Sequence, residues 1–241
     1  MMGKKYKILS FDIVGTLVDF ETGLLDALRA SIDFEKHGLT DDQVLQAFGQ
    51  SEELVQHDQN PGIPWGEILG TAYLDFAPKL GLPADERIAA SLKASIPNWP
   101  AFPDSIEALK RLGSGRRLVG LTNGGRFAAQ HMAATLDYPF DDIVTVEDIR
   151  ANKPDPQVFA FMLGKQSTLG YDLPDYLHVA QSQFHDIGVA KKLGFTTAWI
   201  DRRNVGEIGF GGTPNPGVIT EPTFHFHTLS ELADYLDEHD S

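Results

Sequence analysis

The chain predicts an α/β fold: a doubly wound, Rossmann-like parallel sheet interrupted by a helical insertion. Along most of its 241 residues, short apolar runs alternate with longer amphipathic stretches, as when parallel strands are joined by helices. Between Asp19 and about Trp99 the strand runs vanish, and apolar residues recur at helical spacing instead.

The first run, Tyr6 to Phe11, reads as a strand that stops at Asp12. Helical spacing follows in Leu24, Leu25, Leu28 and Ile32, then in Val44, Leu45 and Phe48, then in Ile68, Leu69, Ala72, Tyr73 and Phe76. Thr22-Gly23 reads as the turn on entry to this stretch, and Pro97-Asn98-Trp99-Pro100-Ala101-Phe102-Pro103 as a proline-stiffened return. Further strands are expected at Leu118 to Leu121, Ile143 to Val146, Leu177 to Ala180 and Thr197 to Ile200, with a weaker candidate at Thr223 to Phe226. Helices are expected over Ser105 to Leu112, Arg126 to Leu136, Pro156 to Leu163 and Phe184 to Leu193. The Gly- and Pro-rich stretch from Asn204 to Pro222 reads as a long loop. The expected organisation is an α/β core of residues 1–18 and 100–241 carrying a helical cap of residues 19–99.

Composition narrows the functional classes. A formal net charge of -14, from 34 acidic and 20 basic residues with no basic tract, repels a phosphodiester backbone, so nucleic acid is not an expected partner. The absence of cysteine removes disulfides, thiolate metal sites and cysteine nucleophiles, and fits a reducing compartment. No apolar run approaches the roughly 18 residues of a membrane span, and Met1-Met2-Gly3-Lys4-Lys5 leads straight into a strand pattern. The expectation is a cytoplasmic protein without membrane partners; homodimer formation stays open.

In open parallel sheets ligands bind at the carboxyl ends of the strands, so the polar residues closing each apolar run are the candidates for chemistry. They are Asp12-Ile13-Val14-Gly15-Thr16, Thr122-Asn123-Gly124-Gly125 and Gln181-Ser182-Gln183-Phe184-His185-Asp186, with Lys153-Pro154-Asp155-Pro156 after the third strand. A carboxylate becomes a useful nucleophile when it is fixed, partly desolvated and aimed, and Asp12 at the end of a buried strand meets that need. Thr16, Thr122 and Asn123 supply groups that orient nucleophile and substrate, and Lys153 a fixed positive charge that would keep Asp12 ionised. Taken singly, these residues have plainer readings. Asp12 and Thr16 can cap a turn, Thr122 and Asn123 can cap the helix near Arg126, Lys153 can be a solvated lysine, and His185 can pack locally.

In this order and spacing, the four segments resemble the signature motifs of the haloacid dehalogenase superfamily, over Lys7 to Arg203. The closing Gly194-Phe195-Thr196-Thr197-Ala198-Trp199-Ile200-Asp201-Arg202-Arg203 looks like that of its dehalogenase branch. The stretch His178 to Asp186 resembles both type II 2-haloacid dehalogenases and azetidine-2-carboxylate hydrolase, and Phe20-Glu21-Thr22-Gly23 and Asn98 to Asp104 look closer to the latter.

This resemblance implies catalytic roles for Asp12, Lys153 and Asp186, with Thr16, Thr122, Asn123, Ser182 and Gln183 on the substrate side. It implies a small carboxylic acid as substrate and no cofactor. Departures are Gln181 where the pattern has serine, Gln183 where it has asparagine, and no match for an early Trp-Arg pair. Arg29 lies in the first cap helix but reads as a solvated arginine. Phosphatases of the superfamily carry a second aspartate where this chain has Val14, which can neither protonate an alkoxide nor activate water. Displacement at carbon is therefore the favoured expectation. A Mg²⁺-dependent phosphatase and a catalytically silent binding protein are the alternatives.

Overall fold

Six strands form one parallel sheet: β1 (Ile8–Phe11), β2 (Arg117–Thr122), β3 (Asp142–Thr145), β4 (Tyr176–Ala180), β5 (Thr196–Ile200) and β6 (Phe224–Phe226), ordered β3-β2-β1-β4-β5-β6. This computed structural model describes residues 5–59 and 62–239, so Met1 to Lys4, whose lead into the first strand argued against a signal peptide, lie outside the described residues. The doubly wound expectation holds, each predicted strand lying within two residues of an observed one. β1 and β4 are buried along their whole length because helices cover both faces, and this is why they read as unbroken apolar runs. β1 lies between β2 and β4, with Ile8 paired to Arg117 on one side and Tyr176 on the other. The strand order reverses there, which opens a crevice at the carboxyl ends of β1 and β4.

Four helices separate β1 from the next core helix: α1 (Phe20–Arg29), α2 (Asp41–Glu53), α3 (Trp65–Phe76) and α4 (Glu86–Ser95). Asp19 caps α1 by accepting from the Thr22 N–H at 3.0 Å, and Thr40 and Gln43 form a reciprocal capping box at α2. The predicted apolar stripes face inward, with Leu24, Leu28, Val44, Phe48, Leu69, Tyr73 and Phe76 buried in one core shared with β1. α4 went unread because its stripe is short, consisting of Ile88, Ala89 and Leu92.

Thr22-Gly23 is not a turn but the first turn of α1. Gly23 is there for clearance, since a Cβ would stand 2.3 Å from Trp99 Cδ1. The two ends of this helical stretch are tied by backbone pairing, with Asp19 N–H donating to Pro100 O at 2.8 Å and Phe102 N–H to Leu17 O at 3.0 Å.

The remaining helices are α5 (Ser105–Leu112), α6 (Arg126–Thr135), α7 (Val146–Ile149), α8 (Pro156–Ser167), α9 (Gly188–Lys192), α10 (Val205–Ile208) and α11 (Leu229–His239). The helix expected over Phe184 to Leu193 is divided: a wide π turn, Gln183–Ile187, precedes α9. The loop expected from Asn204 to Pro222 contains α10, and its later part folds back against the crevice. Among the described residues, no helix is long and apolar enough to cross a membrane.

Candidate active site

A cavity of about 450 Å³, its mouth included, opens at the carboxyl ends of β1 and β4. Asp12, Thr122, Asn123, Lys153, Ser182 and Asp186 all contribute to its wall. Asp12 follows β1 directly, fixed by its N–H donating to Val179 O at 3.0 Å. Thr16 Oγ1 donates to Asp12 Oδ2 at 2.6 Å and accepts from the Gln181 N–H at 2.8 Å, so the hydroxyl joins the loops after β1 and β4. The tight return that brings Thr16 back over Asp12 passes through Gly15, whose φ of +82° suits glycine.

Lys153 is only 1% exposed. Its ammonium donates to Asp12 Oδ1, Asp186 Oδ1 and Leu121 O, each at 2.8 Å, which uses all three of its hydrogens. Asn123 holds it in place: its amide donates to Lys153 O at 3.0 Å and its carbonyl accepts from the Lys153 N–H at 2.7 Å. Asp186 Oδ1 also receives His178 Nε2 at 3.0 Å, and His178 Nδ1 lies 2.9 Å from Ser10 Oγ.

Burial is the largest influence on each member of this group. It pushes the Asp12 carboxyl up; Lys153 pulls it back, Asp186 pushes it further, and the net direction is upward. For Asp186, burial is outweighed by Lys153 and His178, so its carboxyl lies below the ordinary value. Burial also lowers Lys153, but the two carboxylates outweigh it and hold its ammonium. Lys153 thus favours the ionised form of Asp12 by charge and by hydrogen bond, while burial and Asp186 oppose it.

The other candidate residues also make contacts within the fold. The Asn123 side chain is spent on Lys153. Thr122 Oγ1 accepts from the Gly124 N–H at 3.0 Å, and Ser182 Oγ accepts from the His185 N–H at 2.9 Å, so both shape their own turns while bordering the cavity. Gln183 is absent from the cavity wall. Its Oε1 accepts from the Thr220 N–H at 3.0 Å, so from the first residue of the π turn it anchors the Gly- and Pro-rich loop. Arg29 pairs with Asp41 and Asp26 at the surface, as a solvated arginine would.

The family model of haloacid dehalogenase-like hydrolases matches residues 6–166. The chain belongs to this family. An (S)-2-haloacid dehalogenase of Pseudomonas fluorescens is 27% identical over 164 residues, a match spanning 65% of this chain and 65% of that relative. A second (S)-2-haloacid dehalogenase, from Pseudomonas sp. (strain YL), is 26% identical over 227 residues, covering 87% of this chain and 88% of its own. Among solved structures, the L-2-haloacid dehalogenase of Xanthobacter autotrophicus with chloropropionic acid covalently bound superposes with a TM-score of 0.76 at 22% identity, over 98% of this chain and 100% of that one. A HAD-hydrolase of Bacillus subtilis, YfnB, bound to magnesium also gives 0.76 at 20% identity, over 97% and 100%. At these identities the likeness of structures establishes the fold.

Several parts of the cavity escaped the sequence reading. Phe20 and Trp65 come from α1 and α3, Glu52 from α2, and Thr213 and Pro214 from the loop after α10. The signal for Glu52 was present, since it lies four residues after Phe48 on the apolar stripe of α2. His178 was visible too, as a titratable side chain inside the fully buried run of β4.

Proposed function

We propose that this chain is a hydrolase in which the Asp12 carboxylate displaces a leaving group from C2 of a small carboxylic acid. An aspartyl ester forms and water then cleaves it. The observation that carries this reading is the state of Asp12 itself. Both its oxygens are oriented, one by Thr16 and one by Lys153, at the floor of a cavity walled by Phe20 and Trp65. Orientation with partial desolvation is what a carboxylate needs for in-line attack. Val14, also in the wall, offers no proton to an alkoxide, which fits a leaving group other than a phosphate-bound alcohol.

For the second step, Asp186 is the base that suits the water. Its Oδ1 is occupied by Lys153 and His178, while its buried Oδ2 has no hydrogen-bond partner among the described residues. The (S)-2-haloacid dehalogenase names of the relatives support halide as a leaving group, and the same displacement serves the amine of a strained ring. The reaction as proposed uses no cofactor. The residues that would hold Mg²⁺ in a phosphatase, Asp12 and Asp186, each direct an oxygen at the Lys153 ammonium. In this reading the helices between residues 19 and 99 act as the cap, and the substrate lies between them and the sheet.

The test is Asp12→Asn, which keeps size and removes the nucleophile. Turnover should fall to background with unchanged circular dichroism. A single turnover of the unsubstituted enzyme in ¹⁸O-labelled water should place the label in Asp12. Label in the product alone, or activity surviving in Asp12→Asn, overturns the reading.

A further inference from the structure

The ends of β5 and β6 bring together three side chains that the chemistry at Asp12 does not use. The register pairs Trp199 with His225 and Ile200 with Phe226, and the Asp201 N–H donates to Phe226 O at 2.7 Å, which carries the pairing one step further. Side chains alternate along a strand, so His225 and His227 fall on one side of β6. Trp199 stacks on His225 from the same side, and Asp201 follows two residues after Trp199. Asp201, His225 and His227 each offer a ligating atom, and these atoms all lie within 4.8 Å of one another. None of the three borders the cavity at Asp12.

Each group is held by the fold. Asp201 is buried, with its Oδ1 accepting from the Val205 N–H at 2.9 Å and its Oδ2 facing His225. The His225 ring lies on Trp199 with centroids 4.3 Å apart, and His227 Nδ1 stands 3.2 Å from Asp201 O. His225 Nε2 is 3.4 Å from Asp201 Oδ2, longer than a good N–H···O bond. It is, however, the spacing of two ligands on one ion: atoms bound at about 2.0–2.1 Å in a tetrahedron lie about 3.4 Å apart. Two imidazoles with one carboxylate suit a divalent transition metal, whereas Mg²⁺ and Ca²⁺ take oxygen ligands. Both histidines are exposed, so an ion can reach them from solvent.

We propose that Asp201, His225 and His227 form a binding site for a divalent transition-metal ion of the Zn²⁺ class, which clasps β6 to β5. Three protein ligands leave one tetrahedral position for water. β6 has three residues and lies at the edge of the sheet, so a clasp at its end secures the part of the sheet with the fewest strand partners. The role is structural: the ion binds the folded chain and stabilises it by mass action, and turnover at Asp12 does not depend on it.

Isothermal titration of the untagged chain with Zn²⁺, after treatment with EDTA and dialysis to remove the chelator, tests this. One equivalent should bind with a Kd of about 10 μM or tighter, and Mg²⁺ should not compete. His225→Ala and His227→Ala, both at exposed positions, should each weaken binding at least about tenfold while leaving turnover unchanged. Zn²⁺ should raise the thermal midpoint of the unsubstituted chain more than that of either variant. Asp12→Asn should bind Zn²⁺ as tightly as the unsubstituted chain, which separates this site from an ion held by Asp12 and Asp186. Weaker binding than stated, binding that either histidine variant leaves intact, or binding lost in Asp12→Asn overturns the proposal.

Discussion

Replacing Glu52 by Gln should change how the stability of this protein depends on pH. Burial pushes the Glu52 carboxyl from 4.5 to about 8, with a smaller push from Glu53. In the unfolded chain the group titrates near 4.5, so between that value and 8 the folded state holds a proton that the unfolded state has released. Stability contributed by this group is thus fully present below about pH 4.5 and is lost as pH rises through 8. At 1.36 kcal/mol per tenfold change in proton affinity, the whole effect is about 5 kcal/mol.

Gln has the same shape and cannot ionise, so it lacks this slope. Urea unfolding of both proteins at pH 5, 6.5 and 8.5 should show Glu52→Gln gaining steadily on the unsubstituted protein as pH rises. The gain should reach several kcal/mol by pH 8.5. A stability difference that stays constant over this range would show that Glu52 is not held in the desolvated site described above.

Three further outcomes follow from the geometry of the site. Val14→Asp puts a second carboxylate beside Asp12, where like charge raises the pKa of both, and should cost at least about tenfold in kcat/KM on the best carboxylic acid substrate in metal-free buffer. Asn123→Ala removes the amide that grips the Lys153 backbone on both sides; about a hundredfold loss in kcat, with a smaller change in KM, is expected from a misplaced ammonium. Dialysis against EDTA should leave turnover unchanged, because Lys153 already supplies the positive charge between Asp12 and Asp186; activity that disappears and returns with Mg²⁺ would favour the phosphatase alternative.

The sheet was legible because its inner strands are covered on both faces, and burial on two faces writes a local apolar run that needs no knowledge of partners. Asp12, Thr122 and Gln181 were legible for a related reason, as the first polar residues after such runs. What those side chains touch was not. Asn123 grips a backbone 30 positions away, and Gln183, at the start of a π turn that no periodicity announced, binds the Thr220 backbone. Gly23 read as a turn because glycine usually marks one, whereas here it yields to Trp99, a residue at the far end of the insertion. Glu52 was passed over because one acid on an apolar stripe looks like a solvated edge until the stripe is seen to face a cavity.

Ser10 and His178 are direct partners across β1 and β4, and they lie on the same face of the sheet. From that pair a line of contacts runs through Asp186 and Lys153 to Asp12, then through Thr16 to the Gln181 backbone. Strand side chains alternate with a period of two, so sliding β4 by one residue would turn His178 to the opposite face and offer Ser10 either Leu177 or Val179. The alignment of two neighbouring strands is therefore a chemical setting as much as an architectural one. A chain that folded with the right strands in the right order, but one step out of phase, would possess every residue of this site and have no site.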